Sequence, residues 1–321
     1  MNEIRYFSMF TGVGGFELGL ANNSKPLSEI EQDKERGNRT SNEQGALLCS
    51  GQESTFRCVG CSEIDKYSSE LLKQKFPTVK NWGDCTKINP SELPDFDMLC
   101  GGFPCQSFSI AGKRRGFEDT RGTMFFEVAR ILKVKRPKLV FLENVKGLLN
   151  HDKGKTFSVI IQTLEELGYR TQWMVLNSKF FGVPQNRERV FIIGSLRNEP
   201  RPEILPFGCY DQEVNRTANL PSVAIGYDTK DSRPEIGQAK RVYGEKGVIC
   251  PLNNWSPLTN QNMKIRRLTP TECERLQGFP ENWTEGFSDT QRYKMMGNAV
   301  SVPVITAIGK KLSQSFINDK Y

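Results

Sequence analysis

The chain has 321 residues, which suits one large domain or two modest ones and is too long for a small disulfide-bonded scaffold. Hydrophobic residues make up 37% and charged residues 25% of the sequence, and this composition excludes collagen, a coiled coil and disorder throughout. Lysine and arginine number 44 against 37 aspartate and glutamate residues, so the net charge of +7 permits a polyanionic partner but does not prove one.

The sequence shows neither a membrane segment nor a complete metal-binding pattern. No apolar run of about 18 residues is present, and the first residues lack the basic-then-apolar layout of a signal peptide, so we expect a cytoplasmic protein with no membrane partner. The nine cysteines are scattered and odd in number, which favours reduced thiols. Cys58 and Cys61 form half of a zinc knuckle, but His151 is the one histidine and no second Cys-x-x-Cys pair exists, so we expect no metal site.

Short apolar segments and amphipathic helices alternate over the first 195 residues. Strands are predicted at residues 4–10, 58–63, 96–100, 138–142, 173–176 and 190–193. Helices are predicted to begin at residue 16 and to include residues 71–72, 124–132 and 157–167, where apolar residues repeat at helical spacing. This alternation predicts an α/β fold with a doubly wound, mostly parallel sheet.

Composition divides the chain into a main domain, an insertion and a smaller second domain. Residues 22–57 are polar and poor in aliphatic side chains, which predicts a surface insertion. Residues 196–264 contain many prolines and turn formers, so we expect a small, loop-rich domain for target recognition, which together with its hinge spans residues 196–289. The main domain then comprises residues 1–195 and 290–321, because the apolar stretch 302–308 predicts a helix that returns to it.

A glycine-rich turn between the first strand and the first helix suits an adenosine-bearing ligand. Phe10 ends the strand and Gly12, Gly14 and Gly15 follow, so backbone N–H groups gather where the helix begins. The turn lacks the third glycine of a dinucleotide-binding Gly-x-Gly-x-x-Gly motif. This absence argues against an enzyme that transfers hydride to or from a dinucleotide cofactor.

Residues at the ends of the next strands complete this predicted pocket. Glu63 follows the second strand, where its carboxylate can accept both ribose hydroxyls, and Ile64 beside it can cover the adenine. Asp84, after a presumed third strand, can accept the adenine amino group, and Cys85 next to it is predicted to contact the same ligand.

A cysteine lies just beyond the strand predicted at residues 96–100, where ligand chemistry in open α/β sheets takes place. Cys105 follows Pro104 in a loop of small, polar and basic residues. We therefore interpret Cys105 as an exposed nucleophile rather than a core thiol.

One carboxyl group and two arginines are predicted to surround this sulfur. Glu143 ends the next strand and would lie beside Cys105 if the sheet order is as supposed. Arg187 and Arg189 are two residues apart, so on an extended segment both would point to one face. There they could hold a base carbonyl, orient Glu143 or bind phosphate.

The motifs described above, taken in chain order, closely resemble those of the C5-cytosine DNA methyltransferases of bacterial and archaeal restriction-modification systems. The resemblance covers nearly the whole chain outside the insertion and the second domain, so chance agreement is negligible. The matching blocks are residues 10–15, 62–65, 104–106, 143–145, 185–189, 267–280 and 297–300.

The resemblance implies a Rossmann-like methyltransferase that uses S-adenosyl-L-methionine to methylate cytosine in double-stranded DNA. It implies Cys105 as the nucleophile, Glu143 as the group at cytosine N3, and Arg187 and Arg189 as their supports. It also implies cofactor contacts from Pro104, Asn298 and Val300.

The chemistry explains why a cysteine is required. Carbon 5 of cytosine is a poor nucleophile until a thiolate adds to carbon 6, and carbon 6 is inaccessible in a stacked duplex, so the base must flip out. An enzyme that methylates an exocyclic amine would not need the sulfur and typically carries an aromatic residue after two prolines. The sequence Phe103-Pro104-Cys105 differs from that pattern and argues against methylation of an exocyclic amine.

In the resembling family, the segment between the arginine block and Arg267 selects the DNA sequence. From Leu196 to Lys264 this segment holds nine basic and eight acidic residues, so most phosphate affinity must come from elsewhere. Pro251 replaces a threonine that is usual in the family and so removes a hydroxyl contact to phosphate. The predicted DNA contacts are Gln106, Ser109, Lys113, Arg114, Arg121, Gln238, Arg241 and Tyr243, with Gln238 or Arg241 filling the space of the flipped base.

The resemblance further implies a monomer that protects host DNA while a cognate restriction endonuclease acts separately. Two other functions stay open. The first is an RNA cytosine-5 methyltransferase, against which the absence of the Cys-Phe-Thr tripeptide of the transfer-RNA branch counts. The second is a catalytically silent DNA-binding regulator, in which an intact Cys105, Glu143 and Asn298 would have no purpose.

Overall fold

The computed structural model describes residues 3–22, 56–104, 124–199, 204, 223–226, 242–245, 258–261 and 264–318. Within these residues, a six-stranded sheet forms the core of the main domain. Its strands are β1 (Ile4–Met9), β2 (Phe56–Ser62), β3 (Met98–Gly102), β4 (Leu139–Val145), β5 (Tyr169–Asn177) and β6 (Glu188–Leu196).

The strands of this sheet lie in the order β2-β1-β3-β4-β6-β5. β1 pairs in parallel with β2 and β3, and β3 pairs in parallel with β4. β6 runs antiparallel to both of its neighbours, β4 and β5. One strand of the six is therefore reversed, and the predicted mostly parallel sheet is confirmed.

Both faces of the sheet are covered by helices, as a doubly wound fold requires. The described helices are α1 (Gly15–Ala21), α2 (Lys66–Lys75), α3 (Met124–Lys135), α4 (Lys155–Glu166), α5 (Pro270–Gln277), α6 (Asp289–Asn298) and α7 (Val302–Asn318). Residues of α3 and α4 pack against one face, and residues of α1 and α7 pack against the other.

The alternation of side chains along β4 shows why its sequence is continuously apolar. Val140 and Leu142 lie in the cluster formed with α3 and α4, whereas Leu139 and Phe141 lie in the cluster formed with α1 and α7. Successive residues of a strand face opposite sides, so a strand buried on both faces has no position left for a polar residue.

A second, smaller sheet follows the main one in the chain. Its strands lie in the order β10-β9-β8-β7, where β7 is Val223–Gly226, β8 is Val242–Glu245, β9 is Leu258–Gln261 and β10 is Lys264–Arg267. After β10 the chain returns to the main domain: Leu276, Trp283 and Met296 are buried in one cluster with Val13 and Leu71. These contacts attach residues 268–289 to the main domain, although composition assigned them to the second; the division into domains itself stays a prediction.

Several predicted boundaries differ from the observed ones. β2 begins at Phe56, two residues inside the predicted insertion, because the Phe56 side chain is buried in the core; residues 23–55 lie outside the described residues. The presumed third strand before Asp84 is reduced to an isolated parallel bridge between Cys61 and Asn81. The helix predicted at residues 302–308 continues to Asn318.

None of the helices given above is long and apolar enough to cross a bilayer.

Candidate active site and cofactor site

The predicted catalytic and cofactor residues that the structure describes gather at one edge of the main sheet. Parallel strands end at the same edge, so the turns after β1, β2, β3 and β4 meet there. The reversed strand β6 begins at this edge, and its Arg189 lies opposite Val145 at the end of β4. The register pairs Gly102 of β3 with Glu143 of β4.

The glycine turn has the backbone conformations that its sequence predicts. Phe10, Gly12 and Gly14 have φ angles of 54°, 58° and 84°, in the left-handed region, and Gly14 is the N-cap of α1. A Cβ atom on Gly15 would lie 2.6 Å from Cγ1 of Val300. Glycine at this position therefore allows the segment that carries Val300 to lie directly against the turn.

Glu63 joins this turn to the start of α2. Its Oε2 accepts a hydrogen bond from the backbone N–H of Gly12 at 2.7 Å, and its Oε1 accepts one from the N–H of Asp65 at 2.7 Å. Each carboxylate oxygen keeps a lone pair for a further donor such as a ribose hydroxyl. Ile64 beside it is 73% exposed, so a large apolar side chain faces solvent where the sequence predicts an adenine.

Asp84 and Cys85 present different groups to this pocket. The Asp84 carboxylate accepts hydrogen bonds from the N–H and the hydroxyl of Thr86, at 3.0 and 2.8 Å, and these bonds lower its pKa. The Cys85 thiol is buried in the core, and burial raises its pKa to about 11. A ligand contact from Cys85 would thus come from its backbone.

Glu143 forms an ion pair with Arg189. The Arg189 Nε atom lies 3.0 Å from Glu143 Oε1, and the two side chains are 14% and 12% exposed. A Cβ atom on Gly102 would lie 2.9 Å from Glu143 Oε2, so only a glycine leaves room for the carboxylate there. The pair is held in a defined orientation at the edge of the sheet, with a carboxylate available to bind or transfer a proton.

Arg187 has different partners from Arg189. It is 3% exposed, and its Nη2 atom donates to the carbonyl oxygens of Gly297 and Ala299, at 3.2 and 2.7 Å. Burial is the main cause that lowers its pKa to about 9; the charge of Arg189 acts in the same direction, and Glu143 opposes it. Arg187 therefore fixes the backbone on both sides of Asn298, whose side chain is exposed.

The segment around Asn298 is fixed from a second side by α5. Gln277 is fully buried; its Nε2 donates to the Met296 carbonyl at 3.0 Å, and its Oε1 accepts from the Ser301 hydroxyl at 2.7 Å. A capping box of Thr269 and Glu272 fixes the start of α5. The sequence interpretation assigns no role to Gln277, although this residue lies in the matching block 267–280. The spacing of Thr269 and Glu272, which is typical of a capping box, was the signal that could have located α5.

The end of β3 is held by a residue that the sequence interpretation left without a role. Asn144 is 2% exposed, and its Nδ2 donates to the Phe103 carbonyl at 2.8 Å. Pro104 follows and is exposed. The next residue is Cys105, which lies outside the described residues.

Most of the predicted DNA contacts also fall outside the described residues. This holds for Gln106, Ser109, Lys113, Arg114, Arg121, Gln238 and Arg241. Tyr243 lies in β8 of the second sheet.

The residues at this edge fit an adenosine-bearing ligand. A positive-φ glycine turn, a carboxylate with lone pairs to spare, an exposed isoleucine and an aspartate lie at the ends of β1 and β2 and in the turn that follows α2. A carboxylate paired with arginine lies next to them, at the end of β4. The arrangement suits transfer of a group from a nucleoside cofactor to a substrate activated by proton donation.

Comparison with known proteins identifies related sequences. The family model for the C-5 cytosine-specific DNA methylase matches residues 4–233 and 211–314. The Type II methyltransferase M1.ScrFI of Lactococcus lactis subsp. cremoris is 40% identical over 84% of this chain and 75% of its own length. The Type II methyltransferases M.HpaII of Haemophilus parainfluenzae and M.HhaI of Haemophilus parahaemolyticus are 37% and 33% identical, each over 98% of this chain and over 91% and 96% of their own lengths.

Solved structures share the fold at low sequence identity. The Dnmt2 methyltransferase of S. pombe superposes with a TM-score of 0.66 at 14% identity and covers 99% of this chain and 100% of its own. A putative DNA modification methyltransferase encoded in an E. coli prophage gives a TM-score of 0.65 at 18% identity, covering 98% and 100%. The doubly wound arrangement thus recurs in these proteins.

Proposed function

Since the chain belongs to the C-5 cytosine-specific DNA methylase family, and so transfers a methyl group from S-adenosyl-L-methionine to carbon 5 of cytosine in DNA, we propose that it acts through a covalent bond between Cys105 and a flipped-out base. The observation that carries this proposal is the Glu143–Arg189 pair at the edge of the sheet. It lies against Gly102, three residues before Cys105.

The proposed reaction assigns one task to each of three residues. The Cys105 thiolate adds to carbon 6 of the flipped cytosine while Glu143 donates a proton to N3, which makes carbon 5 an enamine carbon able to attack a methyl group. S-adenosyl-L-methionine, when bound, supplies that methyl group from its sulfonium. A water molecule then takes the proton from carbon 5, and the N3 proton returns to the Glu143 carboxylate as the Cys105 sulfur leaves carbon 6, which restores the aromatic ring. Arg189 keeps the Glu143 carboxyl group directed at the base.

The cofactor is proposed to lie along the turns after β1 and β2. Glu63 would accept the ribose hydroxyls, Ile64 would cover the adenine and Asp84 would accept its amino group. The support for this is the exposure of Ile64 and the hydrogen bond from the Gly12 N–H that holds Glu63 against the glycine turn.

The DNA contacts are proposed to come from both domains. The basic residues that follow Cys105, including Lys113, Arg114 and Arg121, would bind phosphate, because the second domain is nearly neutral. Residues of the second domain, among them Gln238, Arg241 and Tyr243, would contact the target sequence.

The biological role proposed is protection of host DNA, as the Type II methyltransferase relatives suggest. The chain would act as a cytoplasmic monomer, and a cognate restriction endonuclease would recognise the same sequence separately.

The experiment that tests the proposal traps the covalent bond. Bisulfite sequencing of plasmid from an expressing host first identifies the methylated sequence. A duplex with 5-fluorocytosine at that position, incubated with the enzyme and S-adenosyl-L-methionine, should yield a protein–DNA adduct that survives denaturing electrophoresis, since fluorine prevents the final loss of a proton. Cys105→Ser should give no adduct. An adduct of equal yield with Cys105→Ser, or none with the wild type, would contradict the proposal.

A further inference from the structure

We propose that Asn81 is a positioning residue of the cofactor site, which holds Glu63 and the turn at Gly83 and Asp84 at a fixed separation. This inference rests on the assignment of Glu63 and Asp84 to the cofactor proposed above. Asn81 itself reaches neither the cysteine loop nor the second domain in any contact described, so its effect would be confined to the cofactor side of the site.

The side-chain amide of Asn81 binds both segments. Its Oδ1 accepts hydrogen bonds from the backbone N–H of Glu63 at 3.0 Å and from that of Gly83 at 2.9 Å. Its Nδ2 donates to the Glu63 carbonyl at 3.1 Å and to the Ser69 hydroxyl of α2 at 3.1 Å. Glu63 is thus held at both its N–H and its carbonyl by one side chain.

Backbone pairing alone does not fix these segments. The sheet ends at Ser62, and the chain beside it forms an isolated bridge at Asn81 instead of a strand. Gly83 has a φ of 69°, so the chain turns directly after the bridge. Glu63 and Asp84 therefore lie beyond the sheet, where side-chain hydrogen bonds set their separation. Asn81 supplies three of these bonds to Glu63 and Gly83, and the Ser62 hydroxyl adds one to the Gly83 carbonyl at 2.7 Å.

The hydrogen bonds also explain why the residue is an asparagine. Two donors bind its oxygen, and its nitrogen binds two acceptors. The position therefore requires a short side chain that carries both a hydrogen-bond acceptor and a hydrogen-bond donor. An aspartate of the same shape keeps the two acceptor contacts and loses both donor contacts. An alanine loses all four.

The expected effect is on cofactor binding and not on the rate of methyl transfer. Ribose and adenine do not change during the reaction, so contacts to them stabilise the ground state and the transition state equally. Loss of such contacts raises KM and leaves kcat unchanged. A merely destabilised protein would show the opposite pattern, with less active enzyme and an unaltered KM.

The test compares Asn81→Ala and Asn81→Asp with the wild-type full-length enzyme. Calorimetric titration with S-adenosyl-L-methionine should show a Kd raised at least fivefold, a KM raised to match and a kcat within twofold. Thermal unfolding identifies which variants fold, and Asn81→Asp keeps the test valid if the alanine variant does not fold.

Asn89→Ala is the matched control, because Asn89 also caps a turn with its side chain but lies in the exposed segment before β3. The Kd of this variant should equal that of the wild type. Unchanged Kd in the folded Asn81 variants would overturn the inference.

A double-mutant cycle with Glu63→Ala separates this inference from the proposal on which it rests. If Asn81 acts through Glu63, Asn81→Ala should weaken binding at least threefold less in the Glu63→Ala background than in the wild type. Fully multiplicative effects would overturn the inference alone. If Glu63→Ala binds the cofactor like the wild type, the cofactor assignment itself is wrong.

Discussion

At the scale of single residues, two arginines separated by one position do different work. Arg189 pairs with the Glu143 carboxylate, and Arg187 is buried against the carbonyls on either side of Asn298. The spacing predicted one shared face, as for an extended strand. In the structure the two side chains have different partners, because the N–H of Arg187 donates to the Gln185 carbonyl and the chain turns just before β6 begins. Their charges still act on one another, since Arg189 helps to lower the pKa of Arg187.

Replacement of Arg189 should reduce catalysis more than binding. In Arg189→Ala the Glu143 carboxyl group loses its fixed orientation, and we expect kcat to fall about 100-fold or more, the range attributed to a positioned acid. The Kd for S-adenosyl-L-methionine should stay within twofold. Single-turnover methylation of a duplex substrate measures the first quantity, and calorimetry measures the second.

The control for this variant is Arg275→Ala. Arg275 also forms an ion pair, with Glu281 at 2.6 Å, but both side chains are more than half exposed. Exposed pairs contribute little, so kcat should equal that of the wild type. An Arg189→Ala enzyme that keeps a third or more of the wild-type kcat would show that the ion pair has no part in the reaction.

At the scale of elements, the packing of α1 against α7 supports the cofactor turn. A Cβ atom on Gly19 of α1 would lie 2.6 Å from the Cβ of Ile305, and the hydroxyl of Thr306 donates to the Gly19 carbonyl at 3.0 Å. α1 begins at the glycine turn, so its close contact with α7 fixes the direction in which the turn leads into the helix.

Gly19→Ala should therefore destabilise the protein, although alanine favours helices. The gain in helix propensity is about 1 kcal/mol, and overpacking against a branched side chain costs about 1–3 kcal/mol. Since Ile305 is fully buried and Val302 contributes a backbone oxygen 3.1 Å away, we expect the clash to dominate, with a net loss of about 1 kcal/mol or more. Urea unfolding measures it.

Gly147→Ala provides the comparison, because nothing lies within 4 Å of a Cβ there and its φ is not positive. Its free energy of unfolding should change by less than about 0.5 kcal/mol. Equal stability of the two variants would mean that α1 and α7 can move apart at no cost.

At the scale of the whole molecule, the order of elements could be predicted from the sequence, and several contacts between them could not. The apolar run 138–142 identified β4, and the stripe 124–132 identified α3, because burial imposes a period that the sequence records. The reversal of β6 could not be predicted, because the apolar pattern of a strand is the same whether the strand runs parallel or antiparallel to its neighbours. The packing of Leu276 and Trp283 on the main domain could not be predicted either, because an apolar pattern shows that a side chain is buried but not which surface covers it.

One buried acid makes the stability of the molecule depend on pH. Burial raises the pKa of Glu17 to about 7, from an ordinary value of 4.5, and the charge of Glu63 acts in the same direction. The folded state thus binds this proton more tightly than the unfolded state, so the folded protein is stabilised below pH 4.5 and loses that stability as the pH rises through 7. The total is about 3 kcal/mol.

Glu17→Gln should remove this dependence. Between pH 5.5 and pH 8, the free energy of unfolding of the wild type should fall by about 2 kcal/mol more than that of the variant. Urea titrations at the two pH values measure the difference. Glu70→Gln, at an exposed position of α2, should follow the wild type. Parallel pH profiles of the wild type and Glu17→Gln would mean that Glu17 titrates alike in the folded and unfolded chains.

The contact between Gly19 and Ile305 joins residues 286 positions apart, which sets the timing of folding during synthesis. While a ribosome still encloses the segment 302–318, Phe16 and Leu20 have no apolar surface from α7 to cover them. The nascent polypeptide must therefore wait for α7 to emerge before the nucleoside pocket is braced. Newly made enzyme gains activity only after this helix has left the ribosome, so translation itself delays the first methylation event.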